Sequence, residues 1–291
     1  TLMLKCLLYL LLLVGQPLFS QTTYTGFIDK YPIELVTYIY GDGDARAIYM
    51  YTKYDTPITI NGRQDGSQLV LKEKDKDAVT ATLAFNEYSE DAEVLAGTWT
   101  DAKTGKQLKI SLKKEWDVVQ DDFRPIPKYL LQTWSTNRHY FRQQLAVSTD
   151  GIKMVRGVNV YEKKTDKLIQ CIPADCEIRG LDAILTGDFN FDGDSDFSVF
   201  EASYAGANTT SLYFLYDPKT GKYFDSGFEG TSLEFNEQEK KVYEQNSCCG
   251  GTEFYNAVYK IVKNEMVLIE RHCYKYDEEK DDMLEMDCSQ Y

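Results

Sequence analysis

Between Tyr24 and Leu112 the chain repeats one short pattern: apolar and polar residues in alternation, then a turn rich in Gly, Asn or Asp. "YPIELVTYIY" alternates residue by residue, "GDGD" reverses the chain, and "ARAIYMYTKY" returns. "TPITINGR", "SQLVLKEKD", "AVTATLAFN", "EVLAGTWTDA" and "KQLKISLKK" follow, with Asn61-Gly62 and Asp65-Gly66 as turn signals. A period of two puts every second side chain on one face, which a strand satisfies and a helix does not. Asn-Gly and Asp-Gly supply the positive φ angles of tight hairpins. About eight short strands at regular spacing predict a closed or nearly closed antiparallel sheet, a barrel-like β-meander.

The segment "KEWDVVQDDFRPIPK" breaks that rhythm with charge and two prolines, Pro125 and Pro127. It divides the chain into an N-terminal β domain over 21–115, a linker over 116–128 and a C-terminal β domain over 129–291. "YLLQTWSTNRHYFRQQL" is compatible with strand or with a short helix. Strand patterning then resumes: "TSLYFLY" and "KYFDSGF" flank "DPKTG", and "TEFYNAVYKIV" and "MVLIERHCYKY" flank "KNE". Tyrosine is plentiful on these runs, as on half-buried pleated surfaces. The fold class is therefore all-β. The acidic run "DEEKDDMLEMD" reads as a solvated, partly disordered tail that Cys288 ties back.

Residues 1–20, "TLMLKCLLYLLLLVGQPLFS", have one early lysine, an apolar core from Cys6 to Val14, a Gly15/Pro17 break and Ser20 before Gln21. That is the pattern of a secretory signal peptide, with a core too short for a comfortable membrane span. The expected protein is exported, periplasmic or secreted, with no transmembrane segment once the leader is removed. Its 46 acidic residues outweigh 32 basic ones, a formal charge of -14. Nucleic acid rewards the opposite balance and is excluded as a partner, whereas basic proteins are attracted. In an oxidising compartment Cys171, Cys176, Cys248, Cys249, Cys273 and Cys288 suggest disulfides, with Cys171 and Cys176 able to close a tight loop around Pro173. A zinc site is the rival reading, but adjacent Cys248 and Cys249 do not have metal-ligand spacing and the chain has only two histidines.

The stretch "GDFNFDGDSDF" carries the strongest chemical signal. Asp188, Asn190, Asp192, Asp194 and Asp196 stand at alternate positions, with Gly193 where a sharp bend is needed. Hard oxygen donors in this order suit Ca²⁺, and position seven, Asp194, contributes its carbonyl in EF-hand loops. The bidentate glutamate of an EF-hand is missing, since Val199 stands in its place. The flanks "DAILTG" and "FSVFEA" are strand-like. The reading is a calcium loop at a strand–loop–strand corner.

That loop with "SYAGANTTSLYFLYDPKTGKYF" and the "FNEQEKKVYEQNSCCGGTEFYNAVYKIVKNEMVLIE" meander resembles a family of bacterial periplasmic calcium-binding proteins. These are immunity proteins or inhibitors of lysozyme-like peptidoglycan hydrolases. The resemblance spans roughly Asp182 to Glu270 and implies a propeller-like β domain, with calcium held by Asp188, Asn190, Asp192, Asp194 and Asp196. It also makes a basic hydrolase the expected partner. The loop "ASYAGANTT" is the natural insertion element, with Tyr204, Gly206 and Asn208 as candidate contacts.

Catalysis is not expected. His139 and His272 lie near no Gly-x-Ser-x-Gly nucleophile motif, and no carboxylate pair stands out among so many acids. The competing reading is a secreted or surface-associated module that binds glycans or proteins, stiffened by calcium.

Overall fold

The computed structural model describes residues 20–52, 56–205 and 208–290. Of the leader expected over 1–20, only Ser20 falls among them. Among the described residues no helix is long and apolar enough to cross a membrane.

The chain forms two compact units, the first holding residues 20–52 and 58–121 and the second continuing from Asp122. In the first, eight antiparallel strands close into a barrel. They are β1 Ser20–Ile28, β2 Tyr31–Ile39, β3 Asp44–Tyr51, β4 Ile58–Asp65, β5 Gln68–Asp75, β6 Ala78–Phe85, β7 Val94–Asp101 and β8 Gln107–Asp117. β1 pairs with both β2 and β8, which removes the free edges that an open sheet exposes. The alternation in sequence becomes an interior of Tyr24, Ile28, Leu35, Tyr49, Ile60, Leu71, Leu83, Phe85, Ile110 and Leu112, all buried. Eight strands enclose an interior that side chains of this size fill.

Asn61-Gly62 is not a turn, contrary to the sequence reading; it lies inside β4, and the chain turns at Gly66 with φ +58°. A Cβ on Gly62 would stand 1.8 Å from the Val70 carbonyl oxygen. Glycine is there because the neighbouring backbone leaves no room for a side chain. The barrel's last strand also continues through Trp116 and Asp117, into the segment read as linker.

The second unit is built of three antiparallel meanders. The first contains β9 Lys128–Ser135, β10 His139–Val147, β11 Lys153–Glu162 and β12 Lys167–Cys176. The stretch that admitted strand or helix is thus β9 and β10. The second contains β13 Ile184–Gly187, β14 Asp196–Ser203, β15 Thr209–Asp217 and β16 Lys222–Asp225. The third contains β17 Glu234–Asn236, β18 Lys241–Cys248, β19 Glu253–Val262, β20 Glu265–Asp277 and β21 Asp282–Met286.

Two sequence expectations change in this unit. The acidic tail is not a disordered end: Asp282 to Met286 pair with Asp277 to Cys273, and a Cys273–Cys288 disulfide fastens the chain beyond them. Cys171 and Cys176 do not bridge. Both sit on β12, where Cys171 is exposed and Cys176 buried, so the strand itself points them to different environments. The other joined pair is Cys248 with Cys249.

Candidate functional site

The acidic stretch closes the β13–β14 hairpin, whose last ladder pair is Gly187 with Asp196. Its local sequence sorts itself by alternation. Phe189 is buried against Tyr213 and Phe235, at ring separations of 5.1 and 4.8 Å, and Phe191 also approaches Phe235. The intervening Asp188, Asn190 and Asp192 are left on the other side with their oxygens towards solvent and towards one another. Two bends follow from backbone conformation, at Phe191 with φ +63° and Gly193 with φ +93°.

Hydrogen bonds within the loop fix that arrangement. The Asp188 carboxylate accepts from the backbone N–H of Asp192 at 2.9 Å and of Gly193 at 2.8 Å. Asp192 accepts from Asp194 N–H at 2.9 Å and from the Asn190 amide at 2.8 Å. The same Asn190 amide donates to Asn264 Oδ1, in the β19–β20 turn, at 3.0 Å. Asp196 is fully buried, and its two oxygens accept from Phe189 N–H at 2.9 Å and Tyr216 N–H at 2.8 Å. Burial pushes its carboxyl up to about 7, against the pull of those two hydrogen bonds.

Asp188, Asn190 and Asp192 are therefore brought together, while Asp196 acts as the pin between the loop and the strands beneath it. Asp194 instead lines a pocket of about 230 Å³ with Arg138, His139, Tyr216 and Tyr223. There Arg138 donates to the Tyr216 hydroxyl at 2.7 Å, and His139 Nδ1 lies 3.0 Å from the Tyr223 hydroxyl. The donor set fits a hard cation: carboxylate and amide oxygens in calcium-loop order on a backbone bent at Gly193. The carboxylates alone do not make a cage. Among the described residues, the His, Cys, Asp or Glu groups that bring three donor atoms within 4.8 Å of one another are Cys248, Cys249 and Glu253. A cation in the acidic loop would need the Asn190 and main-chain oxygens as well.

The other candidate contacts lie at the far end of the same hairpin. Tyr204 follows β14 and is 58 % exposed. Its N–H donates to the Asn208 carbonyl at 2.9 Å. The Asn208 side chain donates to the Ser247 carbonyl at 2.6 Å and accepts from Ser247 N–H at 3.0 Å, imitating a strand partner. Gly206 lies outside the described residues. Sequence reasoning missed the Arg138–Tyr216 and His139–Tyr223 pairs, because they form between two different sheets and no local motif marks them. It also missed Glu253, which the hairpin after Cys248 and Cys249 folds back onto them.

The chain matches no protein-family model. No curated protein matches it either. Among solved structures, one described as "Structure of a Xanthomonas Type IV Secretion System related protein" is similar at a TM-score of 0.29 and 11 % identity. The similarity extends over 92 % of this chain and 99 % of that one. A likeness this slight defines neither family nor activity.

Proposed function

We propose that this is an exported calcium-binding protein that inhibits, or gives immunity to, a lysozyme-like peptidoglycan hydrolase by placing the Tyr204 loop in its cleft. One observation supports the reading above the others: β14 and β15 carry the acidic loop at one end and exposed Tyr204 at the other. Asp196 opens β14 and Ser203 ends it, a rigid span of about 25 Å at the usual rise per strand residue. Calcium would be held by Asp188, Asn190, Asp192 and the Asp194 carbonyl, with Asp196 pinning the loop. When bound, it neutralises crowded carboxylates and stiffens the hairpin root. Asn208 clamps Ser247 and its carbonyl accepts from Tyr204 N–H, so the aromatic anchor is offered at low ordering cost. The negative charge speeds encounter with a basic enzyme. The protein acts by occupying a site and performs no chemistry itself.

The test is inhibition of cell-wall lysis by a panel of purified lysozyme-like hydrolases, with calcium and with chelator. Inhibition by the parent, at least tenfold weaker for Tyr204→Ala, is the expected result. An unimpaired Tyr204→Ala variant, or binding to glycans with no hydrolase inhibited, would sink this reading. The second outcome would favour a glycan-binding module, which a cavity of about 410 Å³ lined by Arg179, Thr186, Ser198, Ser211, Tyr213 and Glu234 also suits.

A further inference from the structure

The β18–β19 hairpin presents a group of side chains that the proposed inhibitor has no use for. β18 ends at Cys248 and β19 begins at Glu253, and the two face each other across the ladder. The turn between them is held by the Thr252 hydroxyl on the Cys249 carbonyl at 2.8 Å, and by Tyr276 N–H on the Thr252 carbonyl at 2.7 Å. Glu253 Oε2 consequently lies 3.7 Å from the Cys248 sulfur and 3.8 Å from the Cys249 sulfur. Its other oxygen, Oε1, is paired with Lys275 Nζ at 2.7 Å.

The structure joins Cys248 and Cys249 to each other, and against that state the carboxylate is oddly placed. A disulfide has no hydrogen to donate, so Oε2 gains nothing from facing two bonded sulfurs. Facing two thiols it gains two donors, and facing two thiolates it shares a cation with them. For a tetrahedral d¹⁰ ion the usual metal–sulfur and metal–oxygen distances set a sulfur-to-oxygen edge of about 3.6 Å. The observed separations match it on the two sulfur–oxygen edges, while the sulfur–sulfur edge of about 3.8 Å that such an ion needs forms only once the Cys248–Cys249 bond is opened. Lys275 supplies the orienting partner that metal-ligating carboxylates characteristically have.

We propose that Cys248, Cys249 and Glu253 form, when the cysteines are reduced, a binding site for a thiophilic cation such as Zn²⁺ or Cd²⁺. The site is independent of the acidic loop, whose donors are all hard oxygens. Opening it requires a dithiol reductant. One thiolate of the reductant attacks a sulfur of the pair, and its second thiol resolves the mixed disulfide. Two electrons and two protons pass to Cys248 and Cys249, and the reductant leaves as a disulfide. Metal binding then releases both thiol protons. Three protein ligands leave the fourth position open to water or an outside ligand.

The test uses the purified protein, reduced with a dithiol, freed of reductant without air and titrated with Cd²⁺. Expected are one Cd²⁺ per chain by native mass spectrometry and a thiolate-to-cadmium charge-transfer band in the ultraviolet. In a Cys171→Ser/Cys176→Ser/Cys273→Ser/Cys288→Ser background, which removes the other thiols present after reduction, both should persist, vanish on adding Cys248→Ser/Cys249→Ser, and need at least tenfold more Cd²⁺ on adding Glu253→Gln. A band that survives loss of Cys248 and Cys249, an unchanged affinity in Glu253→Gln, or no band in the reduced parent would overturn the proposal. Alkylation mapped by peptide mass spectrometry tests the same site without any substitution: Cd²⁺ should protect Cys248 and Cys249, and unprotected thiols at both positions would equally overturn it.

Discussion

Glu244 anchors a hydrogen-bond network in the second unit. It is buried in β18, where one oxygen accepts from Thr231 N–H at 2.9 Å and the Tyr255 hydroxyl at 2.7 Å. The other oxygen accepts from the Tyr259 hydroxyl at 2.5 Å. Arg271 completes the network, donating to that hydroxyl at 3.2 Å and lying over the Tyr255 ring. A buried network with every member satisfied makes a sheet face specific, and removing its acceptor leaves several donors unpaired at once. Glu244→Ala should therefore cost about 3 kcal/mol or more in urea unfolding, and Glu244→Gln markedly less. Equal costs would mean that lost packing, not lost hydrogen bonding, sets the effect. His139 carries a different kind of prediction. Burial, with Arg138 beside it, holds its imidazole below the usual histidine range, Lys163 acting in the same sense and Glu162 opposing. Its contribution to stability is thus complete above the unfolded value of about 6.5 and is lost as pH falls from there through the folded value. Melting temperature should decline less steeply across this window in His139→Gln than in the parent. Parallel slopes would show that acids elsewhere control the pH response.

At the level of single strands, close approach decides what substitution is tolerated. Gly62→Ala puts a methyl group into the Val70 carbonyl, which only movement of β4 away from β5 relieves. A loss of roughly 1–3 kcal/mol is expected in denaturant unfolding, the range of overpacked sites. A neutral Gly62→Ala would mean that the two strands separate freely there. This position also explains where the sequence misleads. Asn-Gly signals a hairpin because glycine tolerates unusual backbone angles, but glycine equally permits a neighbouring strand to come close, and only the neighbour distinguishes the two. The barrel itself was legible, since alternation in Tyr31–Tyr40 and its successors is a local property. The acidic loop was legible for the same reason: Phe189 and Phe191 alternate with Asp188, Asn190 and Asp192. Its tie to Asn264, 74 residues away, was not. Nor was β21, because in "DMLEM" the charges that keep an edge strand soluble mask its pairing with β20.

For the molecule as a whole, calcium should act as a modest, saturable stabiliser. Carboxylates crowded into one short loop repel each other, and no salt bridge among the described residues reaches Asp188, Asp192, Asp194 or Asp196. A cation relieves that repulsion in the folded state only, because the unfolded chain separates the charges. Loops of this kind in extracellular modules bind calcium with dissociation constants on the order of 10⁻⁴–10⁻³ M. At tenfold excess over such a constant, mass action adds about 1.4 kcal/mol. In a unit of this size that raises the melting temperature by roughly 3–6 °C. Magnesium, which requires tighter octahedral geometry and dehydrates reluctantly, should achieve much less at the same ionic strength. Asp192→Ala, with one carboxylate fewer to screen, should respond somewhat less to magnesium and to added salt and should lose the additional gain that calcium gives the parent. If calcium and magnesium protect the parent equally, or if Asp192→Ala keeps the calcium response, the loop is an acidic turn pinned by Asp196. The stiffness offered to the Tyr204 end of the hairpin would then come from its backbone ladder.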